Sequence, residues 1–168
     1  MKPTCKVVRR LTASALAKFG DMFELKPSES VSVNQGRALR SEMAAGLSGL
    51  EGDARLKLAH FPMKAAVLRL QMALLQHQHL PAQIFMPMVC AACALVVAAG
   101  MGYGTLDIAS ARGFTARGGQ GVVYRHHVLN YPIVALKAPE QFAMLIRESG
   151  EPDNRIEFHS PQPLPVTE

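Results

Sequence analysis

Tryptophan is absent from this 168-residue chain, aromatic residues make up 6% of it, and cysteine occurs only three times. With few aromatic platforms for stacking bases, and basic residues scattered rather than gathered in one run, the chain does not read as a nucleic-acid binder. Its net charge of +5 would still permit attraction to small anions or acidic surfaces. Cys5, Cys90 and Cys93 form no disulfide framework, which suits a reducing compartment. Charged residues are 18% and hydrophobic ones 49%, and no long segment is both polar and highly charged, so wholesale disorder is excluded. No apolar run reaches the ~20 residues of a bilayer-crossing helix. The run from Met86 to Met101 is bracketed by Pro87 and Gly100 and reads as a buried strand. Lys2, Lys6, Arg9, Arg10 and Lys18 precede the first acid, Asp21, but the LTASALA stretch lacks a cleavage site and reads as part of the domain. These absences leave a cytoplasmic globular protein with no membrane segment, of a length that fits one domain.

What is present is a series of short apolar segments between glycine and proline turns. Thr12 can cap a short helix through about Lys18, since its hydroxyl accepts an orphan amide, with Gly20 at the helix end. Met22 to Leu25 reads as a strand, Lys26 to Ser32 as a loop, and residues 44 to 54 as a glycine-rich loop or hairpin. Lys64 to Gln78 is rich in helix formers, yet Val67, Leu68, Leu70, Met72, Leu74 and Leu75 also give partial period-two alternation. Gln83 to Met88, Ala91 to Ala99, Gly113 to Thr115, Val122 to Val128 and Ile133 to Leu136 read as strands, a pattern of sandwiches and barrels. The final SPQPLPVTE holds three prolines and reads as extended and poorly packed.

Chemistry concentrates between Gly118 and Leu136, GGQGVVYRHHVLNYPIVAL. Tyr124, Arg125, His126 and His127 could wall a small-molecule pocket or form a basic surface. If they lie on one strand, alternation puts Tyr124 and His126 on one face and Arg125 and His127 on the other. Tyr124 and His126 are then the pocket candidates. Cys90 and Cys93 are spaced C-x-x-C, but they lie in the uncharged MVCAACALVVAA without a second ligand pair, which reads as core thiols. His77 and His79 could join His126 at a metal, yet no carboxylate completes the usual set, so no metal or other cofactor is expected.

The segments VNQGRALR (33 to 40), QIFMPM (83 to 88), DIASARGF (107 to 114) and GGQGVVYRHHVLNYPIVAL, in this order, resemble the ureidoglycolate lyase family. The glycine-glutamine-glycine-valine-x-tyrosine block with its later proline is the most specific part. The resemblance implies an all-β, cupin-like antiparallel β-barrel, a double-stranded β-helix with few short helices, over residues 1–158, leaving 159–168 as a proline-rich tail. It also implies that Lys64 to Gln78 is largely strand, a homodimer, and release of urea and glyoxylate from ureidoglycolate in allantoin breakdown. Residues 76 to 83, QHQHLPAQ, stand where the family has Glu-Arg-His-Pro-Leu-Gly-Ser-Gln, so Leu80 and Gln83 match. Leu129-Asn130-Tyr131-Pro132 stands for Trp-His-His-Pro, and Glu42 and Met43 stand where a histidine and an aspartate are usual.

Cleaving such a substrate needs a partner for its carboxylate, a base for its hydroxyl proton and an acid for the leaving nitrogen. The residues proposed for proton handling are His126, Tyr124 and Tyr131. For holding a small carboxylate they are Gln83, Asn130, Arg40, His77 and His79. Asn34 and Gln35 read as turn formers. A non-catalytic binder of small carboxylates, or an enzyme for a different small acid, would use the same fold.

Overall fold

The computed structural model describes residues 6–24, 30–40, 55–78, 83–101, 105–137, 139–148 and 155–167. Strands β1 (Lys6–Val7) and β2 (Arg9–Arg10) precede helix α1 (Ala13–Leu16) and β3 (Gly20–Glu24). The chain continues through β4 (Val31–Val33), β5 (Ala38–Arg40), β6 (Arg55–Met63), β7 (Arg69–Gln78), β8 (Gln83–Val89) and β9 (Ala92–Met101). Then come β10 (Thr105–Leu106), a 3-10 turn at Ile108–Ser110, β11 (Arg112–Arg117), β12 (Gln120–Tyr124) and β13 (Val128–Asn130). The last strands are β14 (Val134–Ala135), β15 (Glu140–Glu148) and β16 (Arg155–Thr167). The all-β expectation holds. The helix at Thr12 also forms, shorter than expected, with the Thr12 hydroxyl accepting from the Ala15 amide at 3.2 Å.

Three sheets result. The largest runs β1-β16-β7-β13-β9-β11-β2, with β10 and β14 also on β9; the second runs β3-β12-β8-β15-β6; β4 and β5 make a hairpin. Residues Lys6 to Arg10 join the two ends of the large sheet, β1 pairing in parallel with β16 and β2 in parallel with β11. The large sheet therefore curls into a nearly closed barrel, which hides edges that would otherwise be exposed. The other pairings in these sheets are antiparallel.

Strand β9 shows how composition produces this layering. Period-two alternation sends Cys93, Leu95 and Val97 into the core facing the second sheet, with Val122, Tyr124 and Phe142. Val96 and Ala98 point the other way, into a core with Met72, Leu129 and Leu164 inside the curl. A strand buried on both faces must be apolar throughout, as ALVVAA is.

Tertiary pairing overrides local preference at β7. Its helix-forming residues form a ten-residue strand because β16 and β13 flank it, with Leu75 opposite Phe158 and Gln76 opposite Asn130. Two expectations need correction here. Ser32 and Val31 belong to β4, and the turn that follows runs through Asn34, Gln35 and Gly36, all with positive φ (52°, 59° and 82°). The proline-rich tail is extended but packed: residues 155 to 167 form one continuous strand across the expected boundary at 158, with Leu164 and Val166 buried. The hairpin expected at 44 to 54 lies outside the described residues.

Candidate active site

Register brings one face of the second sheet toward the inter-sheet core. Tyr124 lies opposite Gln83, and Gln83 opposite Ile146; Phe85 lies opposite both Val122 and Met144. Directly opposed residues share a face, and alternation adds Phe142 and Glu140 to it. Between this face and the large sheet is a cavity of about 160 Å³. Gln83, Phe85, Phe142 and Met144 form one wall, with Phe61 and Met63 from β6 at its side. Gln76 from β7, and Pro132 and Ile133 after β13, form the other wall. None of these side chains is ionisable.

Gln83 is buried, and its Nε2 donates to Met144 Sδ at 3.0 Å. A thioether is a weak acceptor, so that donor is readily released to a better partner. Tyr124 packs edge-on against Phe85, with ring centroids 5.7 Å apart. Its hydroxyl is buried without a hydrogen-bond partner among the described residues. Burial, and secondarily the Cys93 thiol, pushes the phenol pKa well above its ordinary value, so Tyr124 stays protonated near neutral pH, a hydrogen-bond donor and not a base.

Glu140, on the same interior face, is 1% exposed. Its carboxylate accepts from the amides of Ala91 (3.2 Å) and Ala92 (2.9 Å) and from the Cys90 thiol (2.9 Å). The Cys90 pKa is raised by its hydrogen bond to Cys93, then by burial, then by Glu140. Both thiols are free, and this environment keeps Cys90 protonated, as core thiols require. Among the described residues no three His, Cys, Asp or Glu side chains converge as metal ligands.

The structure gathers some of the expected residues and separates others. Gln83 lines the cavity. Asn130 is buried and lies opposite Gln76 and Val97, on the face turned toward the inter-sheet core. The single strand expected over Val122 to Val128 is instead two strands divided by a turn, in which the Val128 amide donates to the Arg125 carbonyl and His127 has φ 64°. The break is forced because β12 pairs within the second sheet and β13 within the large one. Tyr124 is therefore buried, whereas Arg125, His126 and His127 are exposed, and the shared face expected for Tyr124 and His126 does not exist. Tyr131 packs against the core inside the curl, away from Tyr124. Arg40 is exposed on the hairpin. His77 falls in β7, and His79 lies outside the described residues. Sequence reasoning missed Gln76 as a wall residue and Glu140 as a buried carboxylate. The signal for Glu140 was the alternation in EQFAMLIRE, which puts it in phase with Phe142 and Ile146.

The family model for ureidoglycolate lyase matches residues 4–167. The chain belongs to the ureidoglycolate lyase family. Among its relatives, a ureidoglycolate lyase of Agrobacterium fabrum is 30% identical over 161 residues, covering 96% of this chain and 95% of that one. One from Burkholderia mallei is 28% identical, covering 96% of this chain and 92% of the relative. One from Pseudomonas syringae pv. syringae is 27% identical over 154 residues, covering 91% and 88%. Of the segments that carry the family resemblance, Gln83, Phe85, Pro132 and Ile133 line the cavity.

Proposed function

We propose that this protein is a ureidoglycolate lyase, releasing urea and glyoxylate from ureidoglycolate in allantoin and purine breakdown. The observation that carries the reading is Gln83: a residue of the family motif, buried on an interior sheet face, lining a cavity of about 160 Å³. In the reaction the hydroxyl proton leaves, the carbon-oxygen bond becomes the glyoxylate carbonyl, and the carbon-nitrogen bond breaks with its electron pair going to the urea nitrogen. That nitrogen then takes a proton, so the overall reaction consumes none.

Gln83 binds the substrate in this scheme, with Gln76 on the facing wall and Asn130 opposite Gln76 in the adjoining strand. Tyr124, opposite Gln83 and held protonated, is the donor to the leaving nitrogen. The described cavity wall has no base, so the acceptor of the hydroxyl proton is assigned to a group outside that wall. We also assign a homodimer and a cytoplasmic location. The dimer is supported by two exposed leucines on the outer face of β6, Leu56 at 47% and Leu58 at 67% exposure.

The test is a coupled assay for urea and glyoxylate with purified protein. Turnover above spontaneous breakdown, reduced about a hundredfold or more in Tyr124→Phe, is the expected result. Wild-type protein that does not exceed the spontaneous rate overturns the reading.

A further inference from the structure

The cavity has a chemistry of its own. Among the described residues its polar wall residues are two primary amides, Gln83 from β8 and Gln76 from β7, on opposite sheets. The rest of the described wall is apolar: three phenylalanines, two methionines, a proline and an isoleucine. Each amide offers one carbonyl acceptor and two N–H donors. A carboxylate only accepts, and so cannot pair with a glutamine carbonyl. An ammonium or guanidinium only donates, and so cannot pair with the amide nitrogen. A ureido group has one carbonyl and several N–H bonds in one plane, so it can satisfy both ends of a facing amide.

The absence of charge along the described wall adds direction. A carboxylate placed among Phe61, Phe85 and Phe142 would lose its hydration without gaining a cation, which is strongly unfavourable. A neutral planar group loses much less, and the aromatic rings can cover its faces. Gln83 enters this arrangement with its Nε2 on the Met144 thioether, a partner that a urea carbonyl readily displaces.

We infer that this cavity is a subsite for the ureido group, read jointly by Gln76 and Gln83, with the substrate carboxylate held outward from it. Gln76 is then a specificity-determining residue. The inference rests on the ureidoglycolate reading for the identity of the substrate, but its binding chemistry can be measured without turnover.

The probes are oxalurate, a stable acid carrying a ureido group, and glyoxylate, a small acid without one, titrated calorimetrically into wild type, Gln76→Leu and Gln76→Asn. Gln76 is partly exposed, so these changes leave the core intact, and a thermal melt checks folding of each variant. Wild type is expected to bind oxalurate more tightly than glyoxylate. Gln76→Leu should lose about tenfold or more for oxalurate, because a ligand amide is left unpaired, with glyoxylate unchanged. Gln76→Asn should recover part of the loss. Equal losses for both ligands, unchanged oxalurate affinity in a folded Gln76→Leu, or a wild type without preference for oxalurate would each overturn the subsite. Steady-state urea release, run in parallel, separates the two readings. A wild type that discriminates but does not turn over keeps the subsite and removes the lyase. A wild type that turns over, with selectivity unaltered in Gln76→Leu, does the reverse.

Discussion

Tyr124 concentrates the residue-scale argument. A buried hydroxyl without a partner costs stability, and Tyr124→Phe keeps the ring against Phe85 while deleting it. The variant should be more stable by about 1 kcal/mol in chemical denaturation, as it should be less active in urea release. The pH dependence has a definite sign. The folded phenol has a pKa above the unfolded value of about 10, so its contribution is complete below about pH 10 and is lost as pH rises through the folded value. Tyr124→Phe should therefore lose less stability than wild type above pH 10. An alkaline limb identical in the two proteins would show that Tyr124 does not titrate with unfolding. That Tyr124 would matter was legible in its motif; that it sits beside Cys93 and Phe85 was not, because those neighbours come from other strands.

At the scale of elements, β16 separates local from tertiary causes. Prolines at 161, 163 and 165 made the segment read as a loose tail, since proline donates nothing to a strand ladder. The sheet tolerates them because β1 covers only Val166 and Thr167, leaving much of one side of β16 open, and because the register against β7 shifts between His159 and Leu164. Leu164 and Val166 then seal the core inside the curl. Leu164→Ala should cost about 2–4 kcal/mol in equilibrium unfolding. A chain ending at Phe158 should show no cooperative transition, and a normal melt from it would contradict this role for β16. β7 teaches the same lesson: alternation was visible there, but helix propensity competed with it until β13 and β16 supplied partners.

At the scale of the molecule, the outer face of the second sheet carries the assembly argument. Its exposed leucines on β6, Leu56 and Leu58, lie on the side away from the cavity-lining face, so a partner there would leave the cavity wall in place. Wild-type protein should sediment as a dimer at micromolar concentration, and Leu58→Glu as a folded monomer, since an unpaired carboxylate is costly at an apolar contact. A monomeric wild type would rule out this assembly.

The sequence by itself determined the strand-rich architecture, the continuous apolar β9 and the family, because these depend on alternation and on motifs contiguous in the chain. It also marked Gln83. Tertiary structure decided which polar residues meet. The chain crosses between sheets at Arg125 to His127, which exposes His126 and buries Tyr124. Strands from opposite sheets then bring Gln76 to the same cavity as Gln83. Period-two alternation tells which residues share a face of one strand. Which strands face each other across a core depends on long-range pairing, and that resides in no local segment.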